Sequence, residues 1–277
     1  MKKWFRIYPD MSRLILSVFL LATALIGSGF IHIPFVPAGM VLVILVTWLM
    51  MRSEGRDLSF LGFDVKVHHL LLIPAGLLFG ITSFLLSFYL GTLVRGDHIM
   101  VSRMIDGTLL LKEFWQVLPT VAVQDFIIVG YCYVKLIELT NKRIATVMFG
   151  LFFICLHDIW GENVVNDLFY ASGLFIGYLM FSTAFLRSGS IWLVIGLHWG
   201  NNFANSYLFT FTHTSTSWLF ISGQQQHDLT VWQAIGLFIA LNIGTVSVIT
   251  VTKLIWRPKN SLFITSNTSA ASKISTL

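Results

Sequence analysis

Charge is what this sequence has least of. Asp, Glu, Lys and Arg make up 11% of its 277 residues, against roughly 25% in an ordinary soluble domain. Hydrophobic residues make up 56%, more than one soluble core could bury. Cysteine is scarce as well: Cys132 and Cys155 both fall in apolar runs. Each reads as a small core residue, with no zinc-type spacing and no disulfide framework. Only 6 prolines occur and no internal repeat is evident, which counts against a transporter built on inverted repeats with paired broken helices. The apolar runs also lack the period of two that barrel strands require, so helices are the spanning option left.

What is present is a series of long apolar runs. They cover Leu14 to Ile33, Val36 to Met51, His69 to Val94, Phe114 to Leu139, Ile144 to Leu156, Leu168 to Leu186, Ile191 to Phe211 and Val231 to Trp256. A helix needs about 20 apolar residues to cross a bilayer, and the second and fifth runs need their flanks or a tilt to do so. The expectation is an all-α, polytopic membrane protein of about eight transmembrane helices. With the N-terminus inside, every Lys and Arg except Arg95, Arg103 and Lys112 falls on the cytoplasmic side, as the positive-inside rule demands. Both termini are therefore expected in the cytoplasm. The net charge of +5 reflects this topology and contact with lipid headgroups, not a nucleic-acid surface.

Three segments are expected: a two-helix membrane segment over 1–57, a core with the last helix over 58–256, and a disordered cytoplasmic tail over 257–277, rich in Ser, Thr and Asn. Lys2, Lys3 and Arg6 ahead of the first run read as an uncleaved signal-anchor. Leu58 to Phe63 reads as an interfacial element, and the connection from Arg95 to Glu113 as a stretch lying on the membrane surface.

Few ionisable groups lie at mid-depth. Of 13 acids, only Asp125 lies deep within a helix, the others falling in loops, tails or terminal turns. Of 8 histidines, His157 and His198 stand out, the others flanking or connecting helices. A charge at a helix centre costs on the order of 2.5–3.5 kcal/mol, so such residues are rarely idle. At 1.5 Å per residue, Gln124 lies about 15 Å from the outer end of its helix, His198 about 12 Å and His157 about 20 Å from the inner ends of theirs. His198 and Asn202 stand at i and i+4 on one face, as do Phe153 and His157. Gln124 and Asp125 are adjacent, so at most one points straight at a given partner. Asp158, Glu162 and Asp167 read as solvated loop acids, with Asp158 kept in view because it follows His157.

The order Gln124-Asp125, Phe153-x-x-x-His157, His198-x-x-x-Asn202 resembles the CPBP intramembrane proteases, which include type II CAAX prenyl endopeptidases and bacterial Abi-type bacteriocin-processing and immunity proteins. Ser190-Ile191-Trp192 ahead of His198 looks like the family's entry to its last catalytic helix, and Leu58 to Phe63 is similar to the short segment before its core. The resemblance covers roughly Leu58 to Leu208. It implies an integral protein of the bacterial inner membrane with a polar cavity inside the bilayer, hydrolysing a peptide or membrane-protein substrate. In the family a Glu and the second-motif His activate water, while the third-motif His and Asn look like an oxyanion site. His plus carboxylate is equally a ligand set for a divalent ion such as zinc, here His157, His198 and Asp125.

The first motif departs from the family's Glu-Glu-x-x-x-Arg: Gln124 stands at the base, Asp125 at the second Glu and Val129 at the Arg. Gln cannot accept a proton near neutral pH, and Asp125 without an Arg at i+4 needs another partner, for which His157 and His198 are available. Either Asp125 takes over as base, or the chain is a scaffold or immunity protein that binds peptides without cutting them. A proton-coupled transporter would also use mid-membrane Asp and His.

Overall fold

The computed structural model describes residues 9–31, 37–159, 161, 164–210, 213–222 and 230–257. The basic N-terminal stretch, Glu162 and the tail after Arg257 lie outside them. Each apolar run forms a helix over most of its described residues. In chain order the helices are α1 (Pro9–Ser28), α2 (Ala38–Arg52), the one-turn α3 (Val67–Leu70), α4 (Leu72–Arg95), α5 (Gly107–Ile128), α6 (Tyr131–Leu139), α7 (Lys142–Cys155), α8 (Val164–Ser188), α9 (Ile191–Phe203) and α10 (Val231–Ile255). Side chains cap the starts where the sequence supplies them. Asp106 accepts from Leu109 N, Asn141 from Arg143 N and Ile144 N, and Thr230 forms a capping box with Gln233.

Among the described residues five helical stretches are long and apolar enough to cross a membrane: Pro9–Ser28, Val67–Arg95, Gly107–Leu139, Asn166–Ser188 and Val231–Ile255. The expectation of an all-α membrane protein holds, with five of the eight expected spans reaching that length among the described residues. The runs at α2, α7 and α9 yield helices of 15, 14 and 13 residues. For α9 the reason is its surroundings: Ile191, Leu193, Val194, Ile195 and Leu197 are all buried, so it is sheathed by protein and need not match the bilayer. The fourth run is also broken. Val129 N bonds to Asp125 O, and the chain turns at Gly130 between α5 and α6.

The α9 helix is held from two sides. Gly76 and Gly80 of α4 face Gly196 and Gly200 of α9 so closely that a Cβ on Gly80 would stand 2.2 Å from Leu197 O, and one on Gly200 2.3 Å from Leu77 O. Small residues at i and i+4 on both helices let the backbones meet. At its start, Ser190 Oγ donates to Gly62 O and Trp192 Nε1 donates to Asp64 O, while Phe63 stacks on the Trp192 ring at 4.3 Å. Gly62 has φ +64°, a left-handed turn that closes the 3₁₀ segment Leu58–Leu61. The interfacial segment is thus a packed clasp on α9.

The opposite end of the bundle carries a small sheet that the sequence did not suggest. Strand β1 (His98–Val101) pairs antiparallel with β3 (Leu219–Ser222), and β2 (Phe209–Thr210) pairs with β3 in parallel. The connection from Arg95 to Glu113 supplies β1 and so is tied to a distant part of the chain.

Where α1, α2 and α6 meet, charged groups cluster around a buried Lys135. Lys135 Nζ lies 2.6 Å from Glu54, 2.8 Å from Glu138 and 3.3 Å from Asp10. Arg13 and Arg56 complete the cluster, and Tyr131 donates to Glu54.

Candidate active site

A cavity of about 550 Å³ opens beside α9, between α8, α10 and the end of α7. Its walls are mostly apolar and aromatic, with Phe84, Phe153, Phe169, Phe181 and Phe238 among them. Into this lining project four of the five residues singled out from the sequence: Gln124, His157, His198 and Asn202.

The 3.6-residue turn decides which side of α5 faces it. Gln124 and Asp125 are separated by about 100° around the helix, and it is Gln124 that lines the cavity while Asp125 turns inward and is fully buried. There its Oδ1 accepts a hydrogen bond of 2.9 Å from His198 Nδ1. Its second oxygen, also buried, has no hydrogen-bond partner among the described residues. Asp125 thus finds the partner that the missing Arg at 129 would have left it without; Val129 is wholly buried.

Both imidazoles are oriented through Nδ1. Opposite a carboxylate, His198 Nδ1 donates, which leaves Nε2 as the acceptor edge of the neutral ring. Phe181 stacks on this ring at 4.4 Å. His157 stands just past the last residue of α7, where its Nδ1 donates 2.8 Å to Phe153 O. Phe153 O also accepts from Leu156 N at 3.2 Å, and the imidazole bond again leaves Nε2 as acceptor.

As a zinc site the trio of His157, His198 and Asp125 does not fit. A catalytic zinc takes three protein ligands around one point, and no group of three His, Cys, Asp or Glu side chains that could hold a metal ion is found among the described residues. The physical reason is the direction of Asp125, whose bonded oxygen faces the far nitrogen of His198 and not the cavity. The loop acids lie elsewhere: Asp158 is exposed, and Asp167 accepts from Gly161 N.

Other cavity residues escaped the sequence reading. Asn201 and Asn205 continue the face of His198, and Asn242 and Thr245 of α10 line the opposite side. A row at positions 198, 201, 202 and 205 is legible as i, i+3, i+4 and i+7, and Asn242 stood out as a carboxamide within an apolar span.

No curated protein and no solved structure matches the chain. Residues 106–204 match the family model described as type II CAAX prenyl endopeptidase Rce1-like. That stretch runs from the cap of α5 to the end of α9 and holds Gln124, Asp125, His157, His198 and Asn202. Over this core the chain is similar to the Rce1-like type II CAAX prenyl endopeptidases.

Proposed function

We propose that the chain is an intramembrane endopeptidase in which His198, oriented by Asp125, is the base. The observation that carries this reading is the buried Asp125–His198 bond of 2.9 Å behind a histidine that lines the cavity. A water bound at His198 Nε2 gives up a proton as its oxygen attacks the peptide carbonyl carbon, and Asp125 stabilises the imidazolium that forms. The carboxamide N–H group of Asn202 suits the resulting oxyanion, which it stabilises without reorganisation. His157 Nε2 accepts from the second hydrogen of the same water. Collapse of the intermediate breaks the C–N bond, the departing nitrogen takes the proton from His198, and an acid and an amine leave. In this scheme Gln124 has no proton to accept, so its replacement of the family's Glu is compatible with turnover.

The test uses purified full-length protein with two fluorogenic probes. One is a peptide ending in a prenylated Cys-aliphatic-aliphatic-X sequence, the other an unprenylated apolar peptide. Cleavage of either by the parent, lost in His198→Ala, supports the reading. Absence of turnover in the parent, with activity gained in Gln124→Glu, identifies instead a relative that binds peptides without cutting them.

A further inference from the structure

The cavity carries more carboxamides than hydrolysis requires. Beyond Gln124 and Asn202, its lining includes Asn201 and Asn205 from the His198 face and Asn242 from the facing helix α10. Carboxamides set among Phe84, Leu237, Phe238 and Leu241 are costly unless something hydrogen-bonds to them. Asn242 is partly tied down: its Nδ2 donates 2.8 Å to Phe238 O, one turn back on the same helix. This fixes its Oδ1 on the side of α8, 3.8 Å from where a Cβ on Gly173 would stand. One turn along α8, a Cβ on Gly177 would meet nothing within 4 Å. An oriented acceptor therefore faces bare backbone and open room.

A peptide bond inside an intact helix is a poor target, because its N–H and C=O are engaged along the helix axis. To be cut it must be drawn out, and in an apolar setting each opened amide then needs a new partner. The carboxamide is the neutral side chain that offers both a donor and an acceptor to an amide.

We propose that Asn201, Asn205 and Asn242 hold an extended segment of a membrane-embedded peptide across the cavity by hydrogen bonds to its main chain, with Asn242 Oδ1 accepting from one peptide N–H. The proposal rests on the reading that this site acts on peptides, and it assigns these three residues to positioning, not to bond breaking.

The experiment pairs a change in the protein with a change in the ligand. A fluorescent, apolar peptide of about 20 residues, enough to span a bilayer, carries a central Gly-rich stretch. A matching set replaces one backbone amide at a time by an ester, which deletes a single N–H. Binding is measured in lipid nanodiscs to full-length His198→Ala protein, with and without Asn242→Leu. One ester position should weaken binding about 10-fold, the scale of one good hydrogen bond. Asn242→Leu should weaken the all-amide peptide by a similar factor and add nothing further at that ester position. Losses that multiply at every position, or an ester series with no sensitive position even before the Asn242 change, overturn the proposal. An all-amide peptide that fails to displace lipid from the cavity overturns it too. Coupling seen here while the parent protein cleaves neither fluorogenic probe would refute the protease reading and leave this one standing. Cleavage without coupling does the reverse.

Discussion

At the scale of single residues, the carboxylate behind His198 changes what that ring can do. Bonded to Asp125 through Nδ1, the imidazole is held in one tautomer and its cation is stabilised where it forms. Asp125→Asn keeps an oxygen near Nδ1 but removes the charge, so cleavage should fall by at least about 10²-fold, measured as kcat/KM on whichever fluorogenic probe the parent cuts. Unchanged cleavage would return the base to another group. Gln124→Glu, by contrast, should preserve or raise activity, because it adds a carboxylate at the cavity wall without disturbing the buried pair. The order of these residues along the chain was legible, as was the need of Asp125 for a histidine partner. Which of two adjacent side chains faces the cavity was not. Depth along a helix follows from counting, whereas rotation about its axis is set by the packing of α5 against α9. Outside the spans, Asp64 gives a pH signature. Partial burial pushes its carboxyl up, but hydrogen bonds from His69, and from the backbone and ammonium of Lys66, outweigh this and hold it at about 2, below the ordinary 3.8. The folded pKa is depressed, so the stabilisation is present above 3.8 and lost as pH falls through about 2. The difference in thermal midpoint between the parent and Asp64→Asn should therefore shrink over that window. A gap that stays constant rules out the pairing.

At the scale of elements, the crossing of α4 and α9 decides where His198 stands. Four glycines bring the two backbones together, leaving the other face of α9 for the cavity. Gly200→Leu would drive a side chain into Leu77 O, which lies 2.3 Å from the position of a Cβ. A loss of at least about 1–3 kcal/mol is expected from such overpacking, read as a lowered midpoint of thermal unfolding in detergent. Gly177→Ala is the matched control, since a Cβ there meets nothing within 4 Å, and it should be neutral or slightly stabilising. Equal effects of the two changes would mean that the crossing is not the constraint. The spacing of Gly76 with Gly80 and of Gly196 with Gly200 was in plain view as a packing signal. The strands at His98–Val101 and Leu219–Ser222 were not. Each is four residues long, too short for an alternating pattern, and their pairing depends on ends of helices brought together only after the bundle forms.

At the scale of the whole molecule, the eight apolar runs were legible because bilayer thickness imposes length and composition on any segment that must face lipid. A helix surrounded by protein escapes that constraint, which is why α9 is short; among the described residues five stretches are long and apolar enough to span. The seam between the first hairpin and the core carries a polar cluster beside its apolar contacts. Lys135 has a side chain only 4% exposed between Glu54 and Glu138. Lys135→Met would leave both carboxylates buried beside fewer cations, and losses on the order of 3–5 kcal/mol follow when one partner of a buried pair is removed. Thermal unfolding of the full chain tests this, and a midpoint equal to that of the parent would exclude a stabilising seam.

The charges of that seam balance separately on each side of it. Asp10 with Arg13 and Glu54 with Arg56 belong to the hairpin, and Lys135 with Glu138 to α6. During synthesis the hairpin emerges first, and Arg56 precedes its partner Glu138 by 82 residues. A hairpin whose polar edge is already neutral can wait in the bilayer through that interval without recruiting foreign counter-charges, then exchange its internal pairs for those across the seam. Continuity of the chain between the two parts is then dispensable. Residues 1–57 and 58–277, made as separate polypeptides in one cell, should assemble and co-purify through a tag on the shorter piece, and Lys135→Met in the longer one should weaken that recovery.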